Sequence, residues 1–443
     1  MRALKTAIHL LPCLALGVSH AAVPAESPYS TPQAPFFGQV RTRTEYDIKG
    51  MADTTTKKAL LNTQLRTRLG FVAVPSPAVE IKVEIQDVRF MGSEPNAANN
   101  PASATVGNRA GVDLLQGYFA VEQGIFKTAL GRQKMTLGAG RFLSTLEWSP
   151  TSRSFDGWSG NLALGPGNLT GLAFLVRDTN ISVTKDKAFL SGLYYSHQIN
   201  PDIVAEAYGF YDQSRLTSAY GGVTAQNYDL QYYGERVAGK IGIFAFEEEF
   251  IWQAGEAAVG ALDKTNAAFQ LATRAGVAIG NHKANLGLDI MSGDDDLTDD
   301  EISTYRANYY FAHNLYGWMD YFAANPQFGV MDIRVDGDFG FLPGTNGNPR
   351  LSFKPQYHYF APQSAPSGMD DPYGSEIDAE VHVAWFPKSN IVFGAGFFFP
   401  GDNAFRLPAA SQAFPGVPAA RLATADTKKE TGYFLYFMPV FNF

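Results

Sequence analysis

From Ala78 to Phe90 the chain alternates: Val79, Ile81, Val83 and Ile85 fall on one face, with Glu80, Lys82, Glu84 and Gln86 on the other. A period of two marks an extended strand with unlike faces. Thr63 to Phe71 repeats the pattern, setting Leu65, Leu69 and Phe71 against Gln64, Arg66 and Arg68. Such segments are predicted near 36–47, 61–74, 78–91, 113–123, 126–135, 152–163, 168–178, 187–198, 202–214, 226–238, 240–253, 265–278, 282–293, 327–339, 349–361, 374–386, 390–400 and 430–443, eighteen strands in all. Alternation fits a sandwich or a membrane barrel equally; the connections separate them. They are short after every even strand, as at Pro75-Ser76-Pro77, Gly165-Pro166-Gly167 and Pro387-Lys388-Ser389. They are long after the odd ones, as in 92–111, 294–326 and 401–429, and the longest of the short class is 340–348. Short turns on one side, long loops on the other and an even strand count predict an all-β fold: a transmembrane antiparallel β-barrel of about eighteen strands. Short periplasmic turns and long extracellular loops follow from that assignment. No fixed internal period points to a propeller.

The last strand agrees. Tyr433, Leu435, Phe437, Phe441 and Phe443 share a face, interrupted by Pro439. An open apolar edge in lipid would leave backbone groups unpaired, so closure against the first strand is expected. This aromatic ending resembles the signal read by the outer-membrane assembly machinery, which makes that machinery an expected partner through Phe443.

Arg2 and Lys5, the apolar run from Ala7 to Val18 and the small-residue exit Ser19-His20-Ala21-Ala22 have the layout of a secretory signal peptide. The expected organisation is 1–21 as leader, 22–35 as a short periplasmic segment and 36–443 as barrel. The sole cysteine, Cys13, lies in the leader. So short a segment before Phe36 is not expected to fill the lumen as the plug of an energy-coupled transporter would.

Composition supports a strand-crossed membrane protein: aromatics are 13% of residues and glycines number 43, while mean hydropathy is only −0.13. The net charge of −8 excludes a nucleic-acid partner. That charge is uneven, because 36–153 holds fifteen Lys and Arg against ten Asp and Glu, a local excess of +5.

Four ordered stretches resemble the bacterial alginate export family of outer-membrane β-barrel porins. The first is Gly131-Arg132-Gln133 with Gly138, Arg141-Phe142, Glu147-Trp148 and Ser152 to Gly157. The second is Ser292 to Asp296 with His313, Tyr316-Gly317 and Met319-Asp320; the third is Gly374 to Asp378, and the fourth is Phe398 to Asp402. The resemblance implies an eighteen-stranded barrel in the bacterial outer membrane, surrounded by lipid and lipopolysaccharide. It also implies an electropositive constriction passing an anionic polysaccharide.

Taken as lumen linings, the polar faces offer Arg41, Arg43, Arg66, Arg68 and Lys82, and the motif segments add Arg132, Arg141 and Arg153. Guanidinium groups stay charged and bind carboxylates through paired hydrogen bonds, and charged rings set pore selectivity. Asp156, Glu376 and Asp378 are the acidic members of this expected lining. The expected function is passive diffusion of anionic solutes, acidic poly- or oligosaccharide of the alginate type. A general or differently selective porin and a barrel hydrolase are the alternatives. Hydrolysis would need Ser352 brought to His358 or His382, and no nucleophile motif surrounds Ser352. The acidic run Asp294 to Glu301 lacks the calcium-loop spacing and reads as a solvated loop. Neither a cofactor nor a metal is expected.

Overall fold

The computed structural model describes residues 35–48, 60–91, 112–178, 187–216, 226–259, 262–296, 298–306, 308–344, 349–368, 370–404 and 431–443. The predicted leader, the stretch 22–34 and most of the 92–111 and 401–429 loops lie outside them.

The strands are β1 (Phe36–Ile48), β2 (Leu60–Ser76), β3 (Val79–Phe90), β4 (Asp113–Gln123), β5 (Phe126–Gln133), β6 (Phe155–Leu164), β7 (Gly167–Asp178), β8 (Lys187–Asn200), β9 (Ile203–Leu216) and β10 (Gln226–Ile241). They continue as β11 (Phe244–Val259), β12 (Leu262–Ile279), β13 (His282–Met291), β14 (Glu301–Ile302), β15 (Val330–Pro343), β16 (Pro349–Ala361), β17 (Gly374–Phe386), β18 (Ser389–Pro400) and β19 (Gly432–Asn442). Eighteen of these form the barrel. The two-residue β14 lies in a loop and pairs parallel to β12. Each barrel strand pairs antiparallel with its chain neighbours, and β1 closes on β19, Thr44 opposite Phe437. The seam ends on a reciprocal pair: Gly38 N–H donates to the Phe443 carbonyl at 3.1 Å and Phe443 N–H to that of Gly38 at 3.0 Å. Closure leaves no edge, so the strand backbone is satisfied within the hydrocarbon.

Turn chemistry sets the short side. Gly124, Gly165, Gly242 and Gly280 open two-residue turns with φ of 62°, 63°, 62° and 58°, the left-handed start that tight hairpins need. Phe71, Ile81, Phe119, Leu130, Trp158, Leu193, Trp252, Val335, Phe393 and Phe437 are exposed on the outward face. That apolar band is the lipid-contacting surface of a barrel. The inward face carries the buried polar residues, among them Arg41, Arg66, Glu249, Asp289 and Asp332.

A charged lumen crossed by two inserted loops

Residue parity along β1 and β2 aims Arg41, Arg43, Arg66 and Arg68 inward, with Arg41 directly opposite Arg66. The sequence predicts these four as an open basic lining. They are instead 2–5% exposed, because the loop between β5 and β6, residues 134–154, folds into the lumen and covers them. Arg41 Nη1 donates to the Glu147 carbonyl at 2.8 Å and its Nη2 to that of Ser149 at 3.1 Å. Arg43 Nη1 reaches the Trp148 carbonyl at 2.6 Å, and Arg66 Nη1 the Glu147 carbonyl at 3.0 Å. Four like charges this close are tolerable only where strong acceptors surround them; a turn of loop backbone supplies some, and Glu45, 2.6 Å from Arg43, together with Gln39 and Gln86, supplies others from the strands. Arg68 Nη1 meets the Glu147 carboxylate at 2.8 Å, and Lys134 Nζ meets its other oxygen at 3.0 Å.

The wall from β11 to β17 is rich in carboxylates, with Arg274 and Arg334 among them, and its β17 end holds the other inserted loop, between β13 and β15, by complementary chemistry. There the loop donates. Met319 N–H bonds Glu376 Oε1 at 2.8 Å and Trp318 N–H bonds Asp378 Oδ2 at 3.3 Å. Gly317 precedes them with φ of 83°, and a Cβ there would lie 2.6 Å from Glu376 Oε1; the residue therefore has to be glycine. Asp332 on β15 faces His358 Nδ1 at 2.8 Å, both buried.

The two loops join in mid-lumen. Leu143 and Tyr309 form a parallel bridge, Ser144 N–H donates to the Tyr309 carbonyl at 3.0 Å, and Phe311 N–H to that of Gly140 at 3.0 Å. Arg153, carried by the first loop, donates to the Tyr309 carbonyl at 2.5 Å. Arg141, from the same loop, crosses to the acidic wall and pairs with Asp289 at 3.0 Å and Glu249 at 3.6 Å. Around the junction Phe142, Phe210, Tyr232 and Tyr309 pack as an aromatic cluster.

Against the predicted lining, Lys82 does face inward, its ammonium 5.0 Å from the Phe37 ring centroid. Glu376 and Asp378 also face inward, but as loop anchors. Arg132 and Asp156 depart from the expectation. They stand opposite one another in the β5–β6 register, two positions along from the outward pair Leu130 and Trp158, so both point away from the lumen and pair there at 2.7 Å. The expectation assigned them by motif rather than by counting parity from the nearest apolar residue. Ser352 lies opposite His382, but His382 Nε2 is engaged by Glu380 at 2.7 Å and His358 by Asp332. The contributions of Glu147, Trp148, Glu249, Asp289 and Asp332 are missing from the sequence reading. Glu247 and Glu249, both inward on β11, are visible in retrospect as alternate members of the run 247–249.

A closed eighteen-stranded barrel with an apolar exterior, a charged interior and loops folded into its lumen is an outer-membrane channel of the porin type. The family model for alginate export matches residues 33–328, and the chain belongs to that family, in the bacterial outer membrane. No curated protein sequence matches the chain. Among solved structures the chain is similar to OccK2 (OpdF) of Pseudomonas aeruginosa in complex with glucuronate, at 12% identity and a TM-score of 0.58, covering 92% of this chain and 95% of that one. It is similar to P. aeruginosa OpdK with vanillate, at 12% identity and 0.56, covering 92% and 98%. A BenF-like porin of Pseudomonas fluorescens Pf-5 gives 11% and 0.59, with coverage of 92% and 98%. At these identities the likeness is one of fold.

Proposed function

We propose that the channel passes anionic, carboxylate-bearing solutes, acidic saccharides of the alginate type, by passive diffusion past the arginine cluster and the loop that covers it. The observation that carries this reading is the juxtaposition of Arg41, Arg43, Arg66 and Arg68 on two neighbouring strands, with the carboxylates of Glu249 on β11 and Asp289 on β13 on the far side of the barrel. Such an arrangement sets a transverse field in a narrow, low-dielectric passage and guides an anion along one side. A glucuronate-bound relative of the same fold is consistent with a uronate permeant. The bridge between Leu143 and Tyr309 favours short solutes over a continuous polymer while the loops stay in place. The test is the reversal potential of purified protein in planar bilayers under a salt gradient, followed by current block with uronate monomers and oligomers of increasing length. Anion preference reduced by the Arg66→Ala, Arg68→Ala double variant supports the reading. Equal cation and anion permeability in the native channel overturns it.

A further inference from the structure

The loop 134–154 contains a single acidic residue, Glu147. Its carboxylate lies among three cations: Arg68 Nη1 at 2.8 Å, Lys134 Nζ at 3.0 Å and Arg66 Nη2 at 3.5 Å. The two guanidinium groups are buried under the loop, whereas the Glu147 side chain keeps 31% exposure toward the lumen. Leu146, just before it, holds a left-handed φ of 52°. A branched aliphatic residue adopts that conformation only when its surroundings impose it. The turn is fixed on both sides: Thr145 N–H donates to Thr136 Oγ1 at 3.1 Å and Arg153 N–H to the Thr145 carbonyl at 2.7 Å. Glu147 is thus presented to the arginine wall by a strained, tethered turn.

We propose that Glu147 is a specificity-determining residue, a built-in surrogate for the carboxylate of the permeant. A solute carboxylate would replace it on Arg68, Lys134 and Arg66 in a one-for-one exchange. The cations are then never left bare in the lumen, and the solute gains only the difference between two similar ion pairs. Release therefore stays easy, as conduction requires. An anion unable to make the paired, planar contact with guanidinium competes poorly. This inference rests on the anion-channel reading above.

The experiment measures block of chloride current by sodium glucuronate through native protein and E147Q, with heat-modifiable gel mobility confirming the folded barrel. E147Q is expected to bind glucuronate at least about tenfold more tightly, about 1.4 kcal/mol, and to shift the reversal potential toward anions. E147D is expected to return both toward native. E147C treated with a negatively charged thiol reagent restores the carboxylate-like charge and is expected to behave as native, while a positively charged reagent is expected to exceed E147Q. This second route serves if E147Q does not insert. Block within twofold of native in E147Q and in unmodified E147C, in a channel that is itself anion-selective, overturns the surrogate and leaves the anion channel standing. A native channel with neither anion preference nor glucuronate block overturns the channel reading first, and the surrogate with it.

Discussion

The rings of Trp148 and His313 stack with centroids 3.8 Å apart and planes 9° from parallel. Trp148 belongs to the loop anchored on the basic wall. His313 belongs to the short helix α1 (Ala312–Leu315), within the loop anchored on the acidic wall. The Arg43 guanidinium lies 4.0 Å from the centre of the same indole and Tyr436 meets it edge-on at 4.9 Å. One side chain therefore joins both loops to the β1 and β19 wall, and the two insertions behave as a single partition.

Trp148→Ala should uncouple them. Removing a buried tryptophan that also carries stacking and cation–π contacts costs about 3–5 kcal/mol. The expected outcome is a lower unfolding midpoint, read by heat-modifiable gel mobility, together with a larger and noisier single-channel conductance. A quiet channel of native conductance would show that the loops hold their places independently.

The acidic wall has its own test. Glu376→Met removes the acceptor of the Met319 N–H in a buried setting, where an unsatisfied donor costs about 1–3 kcal/mol. The loop between β13 and β15 should become more accessible to protease from the extracellular side, with the barrel intact. Unaltered protection would mean that the bridge to Leu143 is sufficient to hold the loop.

Two arginines from one sequence motif are expected to part company. Arg132 pairs with Asp156 on the outward face, both partly exposed, so Arg132→Ala should leave ion selectivity unchanged and alter stability by less than about 1 kcal/mol. Arg141 is 2% exposed and neutralises Asp289 and Glu249. Arg141→Ala strands buried carboxylates, and breaking such a pair costs about 3–5 kcal/mol. Reversal potentials and unfolding midpoints measured side by side check both outcomes.

That contrast shows what the sequence carries. Strand number, order and orientation were legible because lipid outside and polar groups inside impose strict alternation, as in Val79 to Gln86. Turn glycines such as Gly165 and Gly280 punctuate it. The inward direction of Arg41, Arg43, Arg66 and Arg68 followed from the same parity. Their partners did not, because a guanidinium bonded to the backbone carbonyls of Glu147, Trp148 and Ser149 depends on a loop entering the lumen. No periodicity records that path. Glu147 left one trace, as the lone acid in a basic loop beside an arginine-rich pair of strands whose buried carboxylate, Glu45, is taken by Arg43 at 2.6 Å.

Glu147 also makes a prediction about pH. Burial alone would push its carboxyl pKa up, but Arg68, Arg66 and Lys134 outweigh that and hold it well below the ordinary carboxylate range. A group depressed in the folded state stabilises that state fully above its unfolded value of about 4.3, and the contribution is lost as pH falls through the lower, folded value. Attachment of the loop to the arginine wall should therefore be constant from pH 8 to about 5 and weaken only below about 4. Glucuronate block and open-channel noise recorded across that range should be flat and then change together at the acidic end. In E147Q the acidic change in open-channel noise should disappear, while glucuronate block still falls as the solute's own carboxylate is protonated. A transition between pH 7 and 5 that persists in E147Q would show that Glu147 does not control the loop.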